Sequence, residues 1–348
     1  MTSMQHGGNI YTEQTNAPDL LDFSANINPF GVPESVKQAI SAAIPTLVHY
    51  PDPQQTALTQ AIATHHALQP EQIVCGNGGA DVLFRALQCL HPKRALLPVP
   101  SFLEYETALQ EIGCSVIHWQ MSPNLTLTDV ILSELQTGQY DCLMLCNPNN
   151  PTGTLLQKSQ LLPILDCCLQ NGIRVILDEC FCDMTSEAQQ ASLLASCTAY
   201  PNVFFLKSLT KRFAIPGLRL GYGVCADTAL IKKVRQTGQP WSVNTLAAAA
   251  GIAALQDTAY QQQFQTFLEE KGRMLGSSKI PASLFQRCKS GNQQRILSFS
   301  VQLVRTCRNG CCIGTFLFGT VRIMLGWMRH TTVQRFAAMQ KIRFCYRH

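Results

Sequence analysis

From residue 50 to about residue 225, short apolar runs alternate with amphipathic stretches, and this alternation constrains the fold more than any other feature. Runs at 94–99, 114–119, 141–146, 173–177, 202–206 and 218–224 have the length and apolar density of buried strands. Residues 81–90, 103–111 and 158–170 carry apolar positions at helical spacing between them, and 228–235 does so after the last run. Strand, helix, strand in series requires crossovers, so the expected sheet is mostly parallel with helices on both faces. Function in such a sheet sits at the carboxyl ends of the strands.

A proline-punctuated arm, residues 26–33, precedes this block and leads into a short helix at 33–43; an Ala- and Gln-rich stretch, 245–272, reads as one long helix after it. The first eleven residues are polar, without a basic region followed by an apolar run, and no stretch reads as a membrane span. A soluble, intracellular chain is expected. Sixteen cysteines would suggest a disulfide scaffold in a small secreted protein, but at 348 residues, with irregular placement and no CxxC pair, they read as reduced core thiols.

Four stretches carry chemistry. Cys75-Gly76-Asn77-Gly78-Gly79-Ala80-Asp81 joins the end of an apolar strand to a helix start, where backbone amides freed of side chains form an anion site; a tight turn with an acid near the helix N-terminus is the plainer reading. Asn147-Pro148-Asn149-Asn150-Pro151-Thr152-Gly153 follows the 141–146 strand, and its prolines and glycine force a turn that aims an Asn amide over the sheet edge. Asp178 and Glu179 end another apolar strand, where a partly desolvated carboxylate needs a cationic partner to stay ionised. Ser208-Leu209-Thr210-Lys211 runs on through Arg212-Phe213-Ala214-Ile215-Pro216-Gly217-Leu218-Arg219, and a lysine among apolar residues, with hydroxyls before it and Arg at i+8, suits imine formation.

In this order and spacing the four stretches resemble the fold-type-I pyridoxal 5′-phosphate (PLP) enzymes, in the aminotransferase class I/II branch, over roughly residues 6–270. The resemblance implies the PLP-dependent transferase fold: a large domain with a mostly parallel sheet flanked by helices, and a smaller α/β domain. It divides the chain into an arm with part of the small domain at 1–44, a large PLP-binding domain at 45–240, a connecting helix at 241–275 and an atypical C-terminal small domain at 276–348. By the same resemblance Lys211 holds the cofactor through an imine, Asp178 pairs with the pyridine N1–H, and Asn150 donates to the phenolate oxygen. Phe102 stacks on the ring. Gly79, Ala80, Ser208 and Arg219 grip the phosphate. Tyr50 matches a residue that reaches the phosphate of a neighbouring subunit, which implies a homodimer.

PLP labilises the bonds at Cα, and the orientation of the substrate carboxylate selects between decarboxylation and transamination. His6-Gly7-Gly8-Asn9 and the Asp22–Pro29 stretch with Asn26 resemble the threonine-phosphate decarboxylases of cobalamin biosynthesis more than the histidinol-phosphate aminotransferases, the alternative. His6, Gly7 and Asn26 would then meet the phosphate and carboxylate of a phosphorylated amino acid.

Charge divides the chain sharply. Residues 271–348 hold 14 Lys and Arg and no acid, against 13 Lys and Arg and all 22 acids upstream. Arg305 and Arg322 resemble the family's substrate-binding arginines, but the spacing around them departs from the pattern and the composition is that of a displaced reading frame. A basic nucleic-acid arm is the competing reading, disfavoured by large apolar residues such as Phe316, Phe318 and Trp327. The expectation is therefore no nucleic-acid partner, no membrane and no metal, with a PLP-binding member of impaired activity as the second functional reading.

Overall fold

The computed structural model describes residues 8, 25–122, 127 and 130–275, with side chains up to residue 270. Residues Ile27–Gly272 form one compact unit. Seven strands, β1 (Ile73–Gly76), β2 (Arg94–Val99), β3 (Ser115–Gln120), β4 (Cys142–Cys146), β5 (Arg174–Asp178), β6 (Val203–Ser208) and β7 (Gly221–Val224), form one sheet in the order β1-β7-β6-β5-β4-β2-β3. Only β7 runs antiparallel to its neighbours, and the other pairings are parallel.

The apolar runs are buried because both faces are covered. Helices α1 (Glu34–Ala43), α2 (Thr56–His66), α6 (Lys158–Gln170) and α9 (Thr245–Gln256) supply Val36, Leu58, Ile62, Leu161, Leu165 and Ala250 to one core layer. On the other face, α3 (Gly78–Leu90), α4 (Leu103–Glu111) and α8 (Thr228–Gln236) supply Val82, Leu87, Tyr105, Leu109 and Ile231. Along β6 the period of two sends Phe204 and Leu206 to the α3 face and Phe205 to the α2 face. Two short helices, α5 (Val130–Leu135) and α7 (Ala188–Ala191), complete the connections.

Two expected elements differ. The run at 218–224 becomes a strand only from Gly221, because Pro216–Leu218 form a 3-10 turn and Arg219 adopts a left-handed conformation at φ 56°, which reverses the chain into β7. The long helix is two, α9 and α10 (Thr258–Leu275), broken at Asp257. There the Asp257 carboxylate accepts from Tyr260 N–H at 2.9 Å and from the Ser35 hydroxyl at 2.6 Å, so it caps the second helix and ties it to α1.

Register places the site. Gly76 and Ser208 both lie opposite Gly221, and Asp178 lies between Cys146 and Leu206, so the ends of β1, β4, β5 and β6 and the start of β7 share one edge of the sheet. Among the described residues no helix is long and apolar enough to cross a membrane, and every cysteine is a free thiol.

Candidate active site

The glycine turn after β1 is shaped by close packing. Gly78 has φ +88°, and a Cβ there would overlap the Arg219 guanidinium; a Cβ on Gly221 would overlap Gly79 N. Small residues at these positions let the α3 N-terminus, the start of β7 and Arg219 converge on a space bounded by backbone amides and a guanidinium. Asp81 has a different duty. Its Oδ2 accepts from Asn77 N–H at 2.8 Å and from Arg85 at 2.9 Å, which fixes the first turn of the helix.

One strand over, Ser208 ends β6 with its Oγ 2.7 Å from Thr210 Oγ1 and 3.4 Å from Lys211 Nζ. Lys211 is half-buried, and its amine lies 5.8 Å from the centroid of Phe181. Its main chain is held from the arm: Asn28 N–H donates to Lys211 O at 3.0 Å and Asn28 Nδ2 to Arg212 O at 2.7 Å. Asn28 is buried and also bonds Tyr260 Oη at 2.9 Å, while Tyr260 donates to Gly31 O. The arm thus locks the lysine turn to α10.

At the end of β5, Asp178 is buried, accepting from Tyr105 Oη at 2.7 Å and from Cys180 N–H at 2.8 Å. Phe102 caps α4 and meets Tyr105 edge-to-face, ring centroids 5.5 Å apart. Asn150 lies half-buried in the turn after β4, braced by Asn149, which donates to Pro100 O and to Thr152 Oγ1. Gly79 and Ala80 occupy the first turn of α3. Tyr50 stands on the surface, 80% exposed and stacked on Trp241 at 4.6 Å. Asn26 is half-buried. His6, Gly7, Arg305 and Arg322 lie outside the described residues.

A second lysine, four residues before the first, has the opposite character. Lys207 is 1% exposed and pairs with Asp183 at 3.0 Å and Glu179 at 3.7 Å. Burial alone would depress the amine, but the two carboxylates outweigh it and hold it above its ordinary value. Burial would likewise raise Asp183, yet Lys207 and Arg212 bring it down to about 2. Glu179, also accepting from Ser192 Oγ and Leu193 N–H, is raised by burial. Glu179 is therefore a partner of the buried Lys207, and Asp178 is the acid presented at the sheet edge.

A family model, aminotransferase class I and II, matches residues 18–280. The chain belongs to that family. A threonine-phosphate decarboxylase of Salmonella typhimurium is 40% identical over 324 residues, 87% of this chain and 88% of that protein. The solved L-threonine-O-3-phosphate decarboxylase of Porphyromonas gingivalis is similar at TM-score 0.65 and 27% identity, over 74% of this chain and 75% of that one. The histidinol-phosphate aminotransferase of Clostridium acetobutylicum is similar at TM-score 0.68 and 30% identity, over 74% of this chain and 76% of that one.

The fold is the expected one, that of the fold-type-I transferases. The residues present fit PLP by their donor set: an amine beside a hydroxyl, a buried carboxylate with donors on both oxygens, and a side-chain-free turn facing a guanidinium. Three contributors were not singled out from sequence: Asn28, Lys207 and Tyr105. Tyr105 carried a signal in retrospect, since two aromatics three residues apart at a helix start share one face.

Proposed function

We propose that this chain decarboxylates L-threonine O-3-phosphate to (R)-1-amino-2-propanol O-2-phosphate and CO2, with PLP as cofactor, in cobalamin biosynthesis. The observation that carries this reading is the similarity to the Salmonella decarboxylase over nearly the whole length of both chains. The site supports it through the lysine, carboxylate and anion turn gathered on one sheet edge.

Bound PLP supplies a protonated ring that accepts the electron pair left when the bond from Cα to the carboxylate breaks. In this reading the Lys211 amine would hold the cofactor and would be the group placed to return a proton to Cα. Ser208 Oγ orients that amine. Asp178 would accept from the N1–H, and Asn150 would donate to the phenolate oxygen. Phe102 supplies a stacking face. The Gly79 and Ala80 amides, Ser208 and Arg219 would bind the phosphate, Arg219 as a charge-assisted partner. His6, Gly7, Asn26, Arg305 and Arg322 are assigned to the substrate's phosphate and carboxylate, whose orientation sets which Cα bond breaks.

A homodimer completes the proposal, with Tyr50 reaching the cofactor phosphate of the second copy. Ile44, Leu47, Val48, Tyr50 and Trp241 are 53, 50, 82, 80 and 44% exposed in the single chain, a set of large apolar side chains that association would cover. The free thiols suit a reducing compartment, which supports a cytoplasmic location.

Incubation of the holoenzyme with L-threonine O-3-phosphate tests the reading. Equimolar CO2 and phosphorylated aminopropanol are expected, without pyridoxamine phosphate. Pyridoxamine phosphate formed from histidinol phosphate, and consumed by 2-oxoglutarate, would instead assign the aminotransferase reaction.

A further inference from the structure

We propose that Tyr105 is a positioning residue for the reaction: its hydroxyl donates to Asp178 and orients it, and thereby keeps the proton on the cofactor's pyridine nitrogen. The inference rests on the reading above, in which Asp178 faces N1.

The geometry is specific. Tyr105 is 2% exposed, and its Oη lies 2.7 Å from Asp178 Oδ2 while the Cys180 N–H takes Oδ1 at 2.8 Å. An ionised carboxylate only accepts, so each oxygen is supplied with one protein donor and retains a lone pair for a ligand. The phenol cannot easily change role. Burial pushes its ionisation well above the ordinary value, and the Asp178 charge pushes it the same way, so it stays a neutral donor. The neighbouring Cys146 thiol donates its own proton to Pro148 O at 3.2 Å. The ring itself is fixed against Phe102 at the start of α4.

A hydrogen bond to an anion lowers its proton affinity. In a pair made of N1–H and carboxylate, the Tyr105 donor therefore biases the shared proton toward nitrogen. Deleting the phenolic oxygen leaves Oδ2 short of a donor in a buried place, and the proton moves toward Asp178. Burial of the ring in the core would be served equally well by phenylalanine, so the hydroxyl is the part to test.

The holoenzyme reconstituted with PLP labelled with nitrogen-15 at N1 gives a readout other than turnover, the pH at which N1 loses its proton. Tyr105→Phe is expected to lower that midpoint by about one pH unit, the equivalent of one hydrogen bond to a charged group, and to lower kcat roughly tenfold with KM nearly unchanged. Replacing Tyr105 with 3-fluorotyrosine, a stronger donor of nearly the same shape, is expected to raise the midpoint. This second protein decides the matter alone should Tyr105→Phe fail to fold. An unmoved midpoint in these proteins, while Asp178→Asn lowers it, would overturn the role of Tyr105 and leave that of Asp178 standing. A midpoint that Asp178→Asn also leaves unmoved would overturn both.

Discussion

Lys207 Nζ lies 3.0 Å from Asp183 Oδ2 in the interior of the molecule, on the strand that ends one residue later at Ser208. Side-chain alternation along β6 turns Lys207 away from the α3 face and toward Tyr222, its partner across the ladder. The two lysines at 207 and 211 thus divide, one amine spent on structure within β6 and the other left at the sheet edge.

Lys207→Met should cost stability, because Glu179 and Asp183 would be left in the interior without their cation. A loss of about 3–5 kcal/mol is expected in urea unfolding. Lys211→Ala should leave unfolding of the apoprotein nearly unchanged and abolish covalent cofactor attachment. The reverse assignment of effects would show that the two amines have been given each other's roles.

Stability should fall in acid in two stages. His66, bonded to Tyr222 Oη at 2.6 Å, is depressed to about 3, first by burial and then by Lys207. A base depressed in the folded state contributes fully above its unfolded value near 6.5, and that contribution declines as pH falls toward 3, because only the unfolded chain takes up the proton. Asp183 contributes above its unfolded value near 3.8, and its share is lost as pH falls through about 2. His66→Gln should flatten unfolding free energy against pH between 6 and 4 by up to about 1.4 kcal/mol per pH unit relative to the parent. Identical slopes in the two proteins would remove His66 from the account.

Gly221→Ala should disturb cofactor retention from a position on the sheet. The added Cβ would overlap Gly79 N, so the α3 N-terminus must move. Overpacking of this kind costs about 1–3 kcal/mol. Dialysis should strip PLP faster from the variant than from the parent, as monitored by absorbance of the bound cofactor.

Much of this was legible in the residues because each chemical motif follows an apolar strand. Asp178 and the 147–153 turn directly follow apolar runs in the sequence, Ser208 comes two residues after another, and the ladder register sets them on one edge. Asn28 was not legible, because its role depends on reaching a backbone carbonyl 184 residues away. Lys207 directly follows the apolar run 202–206, and only the fold extends that strand through it and pairs it with Asp183 and Glu179. The break at Asp257 was hidden because acids are common in helices, and this one stops a helix through its contacts with Ser35 and Tyr260. Tyr105 is a buried aromatic whose hydrogen bond to Asp178 spans 73 residues, a separation that helical spacing does not reveal.

Borohydride reduction of the PLP-loaded protein, followed by proteolysis and mass mapping, reports directly on the amine at the centre of this chemistry. A stable pyridoxyl-phosphate adduct on the peptide containing Lys211, absent from Lys211→Ala, is the expected result. An unmodified Lys211, or an adduct on Lys207 in its place, would contradict it.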